Sequence, residues 1–210
     1  MKQFLIGLIF LLCAVTLFAP AAKADTIGVN FSSVNIDFTN GQWSLGYQFR
    51  ANVNTSVTQL GFYDDLKNGL TENHTVGLFN SVGNLLAQTT VTNASTLTSF
   101  FRFNAIAPVA LTAGSIYYVA ATTGTENYTW DPNGVVIDPD ITFIADAFIA
   151  SNVLAFPTQS NGSGLIGWFG ANIQTAAAPI PEPGTLLLLG SGLCGIVGIA
   201  RRRKKATPKL

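Results

Sequence analysis

The sequence predicts an all-β domain, arranged as a single β-sandwich or jelly roll, with an apolar segment at each end of the chain. Apolar and polar residues alternate over 47–54, and a period of two is what a half-buried strand requires. Other apolar runs are short and rich in β-branched and aromatic residues, and Asn-Gly pairs punctuate them. Regular short strands with such turns favour a sandwich or jelly roll over alternating helices and strands.

The strands follow from these patterns in chain order. Residues 34–38 and 101–105 repeat the alternation of 47–54, and the remaining runs have strand composition. Strands are therefore predicted at residues 34–38, 47–54, 57–63, 74–80, 85–92, 101–105, 115–122 and 141–145. The apolar spacing of 145–155 also fits a short helix, and both alternatives stay open there.

The turns between the strands are indicated by pairs of Asn and Gly. These residues tolerate the positive φ angles of tight turns, and the pair at 83–84 sits between two short strands as a hairpin connection does. The predicted turns are Asn40-Gly41, Asn68-Gly69, Gly83-Asn84, Asn133-Gly134 and Asn161-Gly162.

The composition of the central segment, 25–178, excludes some functions. It has the length of one domain and carries three basic against ten acidic side chains, a net charge of −7. This charge repels polyanions and disfavours nucleic-acid binding. Both cysteines, Cys13 and Cys194, lie in the terminal segments, so the domain has no disulfide and depends on packing and backbone pairing.

Residues 1–24 have the pattern of a secretory signal peptide. A positive start at Met1-Lys2 precedes the apolar stretch 4–18, and Ala22-Lys23-Ala24 forms a small-residue cleavage pattern. Cleavage is expected after Ala24. Lipidation of Cys13 is disfavoured, because Leu12 stands where a small residue is needed. The mature chain is expected to begin with an exported domain at 25–175.

The C-terminal segment has three parts. A linker at 176–184 is followed by 16 uncharged residues, 185–200, and by a basic tail at 201–210. The apolar part measures about 24 Å as a helix, which is short against a hydrocarbon core of about 30 Å. Such a transmembrane helix suits temporary retention. The cations of the tail are expected to stay in the cytoplasm, so that the preceding domain lies outside.

The order of these C-terminal parts closely resembles the PEP-CTERM sorting signal of exosortase substrates. The resemblance implies that Pro181, Glu182 and Pro183 form the recognition motif and that Arg201, Arg202 and Arg203 form the stop-transfer end. It also implies an exosortase-type processing protease as partner, a transient inner-membrane intermediate, and a Gram-negative bacterium that makes exopolysaccharide. The alternative is an ordinary single-span tail anchor with prolines before its helix.

The middle of the chain resembles a domain-of-unknown-function family of β-sandwich modules on bacterial surface proteins. The similarity runs over about residues 47–128, through the segments 57–64, 69–70, 74–79, 83–87 and 108–117. The resemblance supports the fold and the location outside the cell. It carries no catalytic residues over to this chain.

Residues suited to catalysis or to metal binding are few, and we predict no catalytic residue and no cofactor. His74 is the single histidine and matches a recurring position of the β-sandwich family that the middle of the chain resembles. The resemblance implies that His74 makes a structural hydrogen bond at a strand entrance. Glu72 and Glu126 are the only glutamates of the exported domain, and a glycosidase needs two facing carboxylates. Two acidic stretches, 64–65 and 131–140, are a calcium alternative to simple turn residues, although neither reproduces a twelve-residue calcium loop.

Exposed aromatic rings are the remaining candidates for a site. Trp43, Tyr63, Tyr128, Trp130 and Trp168 can stack on sugar rings if they line one face, although a sandwich core also buries aromatics. Tyr128 and Trp130 beside the turn at 131–134 are the best candidates for a sugar platform.

The sequence therefore favours an exported, non-enzymatic protein of the cell surface or exopolysaccharide matrix. A carbohydrate-binding module is the first alternative and requires Tyr128 and Trp130 to be exposed and coplanar. An extracellular hydrolase is the second, and it requires a cleft that joins His74 or Glu72 to other carboxylates.

Overall fold

The structure is a computed structural model that describes residues 25–162 and 167–176. Ala24, the sorting tripeptide at 181–183, the predicted helix at 185–200 and the arginines at 201–203 lie outside the described residues. Within the described ranges, no helix is both long enough and apolar enough to cross a membrane.

The described residues form fourteen strands and one short 3₁₀ turn, Asp65–Lys67. The strands are β1 Asp25–Ile27, β2 Val29–Asn30, β3 Ile36–Phe38, β4 Trp43–Ala51, β5 Thr55–Tyr63, β6 His74–Asn80, β7 Leu85–Val91, β8 Thr96–Thr98, β9 Phe101–Leu111, β10 Ile116–Thr122, β11 Tyr128–Trp130, β12 Val136–Ile137, β13 Ile141–Ala150 and β14 Ala171–Ala176. The all-β prediction is confirmed. The ambiguous segment after 145 continues β13 to Ala150 and is not helical.

Two five-stranded antiparallel sheets pack into a sandwich. Their strand orders are β1-β14-β5-β9-β8 and β13-β4-β10-β6-β7. Eight of these strands form a jelly roll: β1, β4, β5, β6, β7, β9, β10 and β14. If these eight are numbered one to eight in chain order, β1-β14-β5-β9 has the order one-eight-three-six and β4-β10-β6-β7 has the order two-seven-four-five. These two orders are the topology of a jelly roll. Two short two-stranded pairs, β11 with β3 and β12 with β2, complete the described fold.

The predicted turns take the backbone conformation that their glycines allow. Positive φ angles occur at Gly41, Gly69, Gly83, Gly134 and Gly162. At Gly83, φ is 87° in the hairpin between β6 and β7, and Asn80 Oδ1 accepts hydrogen bonds from the backbone N–H groups of Val82 and Asn84. A residue with a side chain is strained in this conformation, so the hairpin depends on glycine there.

The core lies between the sheets and is dominated by aromatic rings. On β4, Tyr47 and Phe49 are fully buried, as the alternation of 47–54 predicts. On β5, the buried apolar side chains are Val57, Leu60, Phe62 and Tyr63, which break a strict period of two. A bulge between Val57 and Gln59 inserts the extra residue and restores the inward orientation of the later side chains.

The sandwich has two ends that differ in what they carry. At the first, the terminal end, Asp25 of β1 pairs with Ala176 of β14, and Thr55 Oγ1 donates to the Ala176 carbonyl at 3.2 Å. Strand β4 begins at Trp43, at the opposite end of the sandwich, and runs nine residues, about 27 Å in an extended strand, to Ala51 near the terminal end. We name that opposite end the pocket end.

A buried ion pair joins the loop after β5 to β9. Arg102 Nε donates to Asp64 Oδ2 at 2.7 Å, and the Asp64 side chain is fully buried. The second oxygen of Asp64 accepts from the backbone N–H of Gly69 at 3.0 Å, and Arg102 Nη1 donates to the carbonyls of Asn93 and Ser95. The pair therefore fixes two loops against the sheet.

We expect Arg102→Ala to lower the free energy of unfolding by about 3–5 kcal/mol, because the Asp64 carboxylate is left buried without its cation. The matched control is Arg50→Ala, which removes an exposed arginine on β4. Urea unfolding followed by tryptophan fluorescence measures both. A loss below about 1 kcal/mol for Arg102→Ala contradicts this role.

Candidate functional site

A cavity of about 210 Å³ opens at the pocket end of the sandwich. Leu45 of β4 contributes to its wall. The other described residues that line it are uncharged and mostly aromatic: Asn40, Trp43, Tyr128, Phe148, Asn161 and Trp168. The lining residues come from five separate segments of the chain, at 40–45, 128, 148, 161 and 168, so the fold brings these segments together. We name this site the aromatic pocket.

One side of the aromatic pocket is organised by Asn40, which stands in the turn before β4. Its Oδ1 atom accepts hydrogen bonds from Trp43 Nε1 at 2.9 Å and from the Tyr128 hydroxyl at 2.5 Å. The Trp43 ring packs edge-on against Phe148, with ring centroids 5.8 Å apart. Burial raises the pKa of Tyr128, so its hydroxyl remains a neutral donor to Asn40. These bonds fix the rings on this side of the pocket.

The other side is organised by Trp168, whose ring is half-buried among three aromatic side chains. The ring centroid lies 4.6 Å from that of Phe38, 5.5 Å from that of Tyr128 and 5.7 Å from that of Trp130. The next residue, Phe169, forms a backbone bridge with Thr129. Trp168 is therefore held between β11 and the beginning of β14.

The mouth of the aromatic pocket includes Asn161, which a buried carboxylate holds in place. Asp146 on β13 is 1% exposed and accepts hydrogen bonds from Asn161 N at 2.9 Å, from Asn161 Nδ2 at 2.6 Å and from Ser160 Oγ at 3.0 Å. At Gly167, a Cβ atom would lie only 2.3 Å from Asp146 Cβ. The absence of a side chain there lets the backbone before Trp168 approach β13.

The predicted sugar platform is partly wrong. Trp130 is 38% exposed, as the hypothesis requires, but Tyr128 is only 3% exposed because Phe38 and Trp168 pack against its ring. The ring that accompanies Trp130 is Trp168, at an interplanar angle of 31°. Tyr128 contributes its edge to the pocket wall and does not form an exposed coplanar face with Trp130.

His74 makes the predicted structural hydrogen bond, between its Nδ1 atom and the Thr122 carbonyl at 2.8 Å. The side chain is fully buried and stacks on Phe62, with ring centroids 3.7 Å apart and planes 7° apart. Its Nε2 atom has no partner among the described residues. The pKa of His74 is lower than its ordinary value, mainly because burial disfavours the charged ring. The Thr122 carbonyl, Glu72 and Glu126 stabilise the charged form and make this lowering smaller.

The two glutamates near His74 bind two facing loops to each other. Glu72 accepts hydrogen bonds from the backbone N–H and the hydroxyl of Thr125, and Glu126 accepts the corresponding pair from Thr71. Burial alone raises the pKa of Glu72, but the bonds from Thr125 and the attraction to His74 together bring it below its ordinary value. These carboxylates hold the loops around 71–72 and 125–126 together by hydrogen bonds.

The acidic stretches of the calcium alternative are engaged within the protein. Asp138 is buried, and its two oxygens accept from the backbone N–H of Asp140 and from the Thr175 hydroxyl. Asp65 accepts from Asn127 Nδ2 at 2.7 Å. Among residues 25–162 and 167–176, no group of three or more acidic, His or Cys side chains is arranged to hold a metal ion.

The fold and the C-terminal sequence define this chain as a jelly-roll surface protein whose domain is followed in the sequence by a sorting signal. Residues 26–164 match the domain of unknown function DUF4082, and the chain belongs to this family. Residues 179–204 match the PEP-CTERM protein-sorting motif, which indicates export through the membrane-associated exosortase system to the cell surface. Both sequence resemblances are confirmed. No curated protein matches the chain.

The family match and the folded domain end at different residues. The match stops at residue 164, whereas the sheet needs β14, which lies between β1 and β5. Trp168 also follows the match. The matched segment thus omits both a central strand and one wall of the aromatic pocket.

We expect the stability of the protein to fall as the pH drops below 6.5, because the pKa of His74 is lower in the folded chain than in the unfolded chain. The unfolded chain then takes up the proton first, so the free energy of unfolding decreases with a slope of up to about 1.4 kcal/mol per pH unit and is constant above about pH 7. Urea unfolding at pH 7, 6 and 5 measures this.

The control for this prediction is His74→Asn, whose side-chain amide takes the place of Nδ1 as donor to the Thr122 carbonyl but does not titrate. As the chain has a single histidine, the variant should lose the slope between pH 7 and 5. An unchanged slope in the variant would show that other groups cause it.

Proposed function

We propose that this protein is a non-enzymatic component of the cell surface or exopolysaccharide matrix of a Gram-negative bacterium, and that it acts by contact through its pocket end. The observation that carries this proposal is the separation of the two ends of the sandwich. The chain begins and leaves the domain at the register partners Asp25 and Ala176, while the aromatic pocket lies at the opposite end.

The positions of the chain ends suit a domain that is processed on both sides. In this proposal the signal peptide is cleaved after Ala24, and the segment beyond the linker at 176–184 is held in the inner membrane by residues 185–200 and the tail at 201–210. Because both processed segments join the domain at its terminal end, their removal leaves the pocket end unchanged.

The side chains that a hydrolase needs make structural contacts in this domain. His74 is buried in the core and stacks on Phe62. Glu72 accepts a hydrogen bond from the Thr125 hydroxyl, and Glu126 accepts one from the Thr71 hydroxyl. The aromatic pocket, by contrast, presents rings and amide groups without a charged lining residue among those described. Such a surface is suited to binding and supports an interaction role.

Replacing Pro181, Glu182 and Pro183 together by Ala should block processing, since these residues form the motif that the protease recognises. The full-length protein should then remain in the membrane fraction and keep its basic tail, whereas the wild type loses the tail. Intact mass spectrometry of both fractions measures this outcome. Pro179→Ala is the matched control and should be processed normally.

The sorting hypothesis fails if the wild-type protein keeps Arg201 to Lys205 in cells that contain the protease and in cells that lack it. It also fails if the variant with three alanines is shortened in the same way as the wild type.

Labelling of intact cells tests surface display. Val153 is 64% exposed near the pocket end, and both native cysteines lie in the terminal segments. We expect Val153→Cys to react with a membrane-impermeant maleimide on intact cells, because the domain faces the medium. Ala120→Cys, at a fully buried site, is the control and should stay unlabelled. Labelling of Val153→Cys only after cell lysis contradicts display at the surface.

A further inference from the structure

We propose that the aromatic pocket binds one uncharged pyranose unit of an extracellular polysaccharide, with Trp168 as the main stacking residue. This inference rests on the proposed surface role and adds the site and the chemical class of the ligand. It follows from the rings, the free amide groups and the charge of the pocket end.

All three tryptophans of the chain meet at this one place. Trp43 and Trp168 line the aromatic pocket, and Trp130 contacts Trp168 from outside with its ring 38% exposed. They come from β4, from β11 and from the segment before β14, so neighbouring sequence does not explain their meeting. Large rigid rings offer the apolar C–H face of a sugar a stacking surface at low entropic cost.

Two amide groups at the mouth supply complementary hydrogen bonds. Asn40 uses Oδ1 for Trp43 and Tyr128, which leaves its Nδ2 donor without an acceptor among the described residues. Asn161 uses Nδ2 for the buried Asp146, and its Oδ1 acceptor has no donor within 25–162 and 167–176. A sugar hydroxyl both donates and accepts, so neighbouring hydroxyls of one ring can satisfy both amides. Pairing of a few polar groups with apolar walls is typical of small-molecule sites.

The volume of the aromatic pocket and the charge of the domain restrict the class of ligand further. Its 210 Å³ is below the roughly 300–1,000 Å³ of sites for drug-sized ligands, and it suits a single six-membered ring. The described lining is uncharged, while the domain carries ten acidic and three basic side chains. The field of the domain therefore disfavours uronic acids and sulfated sugars and favours neutral ones.

Binding is testable with the full-length chain in a detergent that contains no sugar. Because all three tryptophans lie at the site, titration with dextran, galactomannan, xyloglucan and mannan should change their emission saturably for at least one polymer. Alginate, a polyanion, should not change it. Calorimetry gives the affinity, and we expect Trp168→Ala to weaken it about tenfold or more.

The controls separate loss of stacking from loss of folding. Trp168→Phe keeps a ring and should restore most of the affinity, Trp130→Ala should weaken binding less than Trp168→Ala, and Asn161→Ala should weaken it through the lost acceptor. Val53→Ala, at the terminal end, should bind as the wild type does. Each variant should unfold cooperatively in urea.

The outcomes distinguish this inference from the proposed function. Binding that Trp168→Ala leaves unchanged overturns the aromatic pocket as the site, and a lack of response to all four neutral polymers overturns the sugar assignment. In both cases the surface role still stands if Val153→Cys is labelled on intact cells. If Trp168 is needed for binding but labelling fails, the aromatic pocket is supported and the surface role is wrong.

Discussion

The insertion of β14 between β1 and β5 is the constraint on which the rest of the structure depends. It completes the jelly roll, brings Asp25 beside Ala176 and fixes the chain that leads into it, including Trp168. The buried side chain of Asn172 strengthens this insertion. Its amide accepts from Val29 N, Ile173 N and the Tyr47 hydroxyl and donates to the Val29 carbonyl. Strand pairing over the longest sequence separation thus closes the core and builds the pocket.

Buried polar groups take the place of covalent links in this domain, which has no cysteine between residues 25 and 178. Asp64 with Arg102, Asp138 with Thr175 and Asp146 with Asn161 each join segments distant in the chain. A buried carboxylate is costly unless hydrogen bonds satisfy it, so each of these loops is held in one conformation. Asp64 and Asp138, which belong to the acidic stretches considered for calcium, have this structural task.

The ends of the described chain and the aromatic pocket lie at opposite ends of the sandwich. Asp25 and Ala176 lie at the terminal end, and the aromatic rings lie about the length of β4 away from them. The hydrophobic interior between these ends is rigid because aromatic side chains of both sheets interlock there.

The sequence by itself determined the class of fold, most strands, the turns and the sorting signal, because these depend on local periodicity, glycine conformation and short motifs. It also predicted the structural role of His74 and the exposure of Trp130. The exposure of Tyr128 that the carbohydrate-binding alternative required is not found, and the grouping of Trp43, Asn161 and Trp168 was missed. Both depend on which distant strands become neighbours. Only the tertiary structure decided that, since β14 and the register of β13 carry residues far apart in the chain to one end of the sandwich.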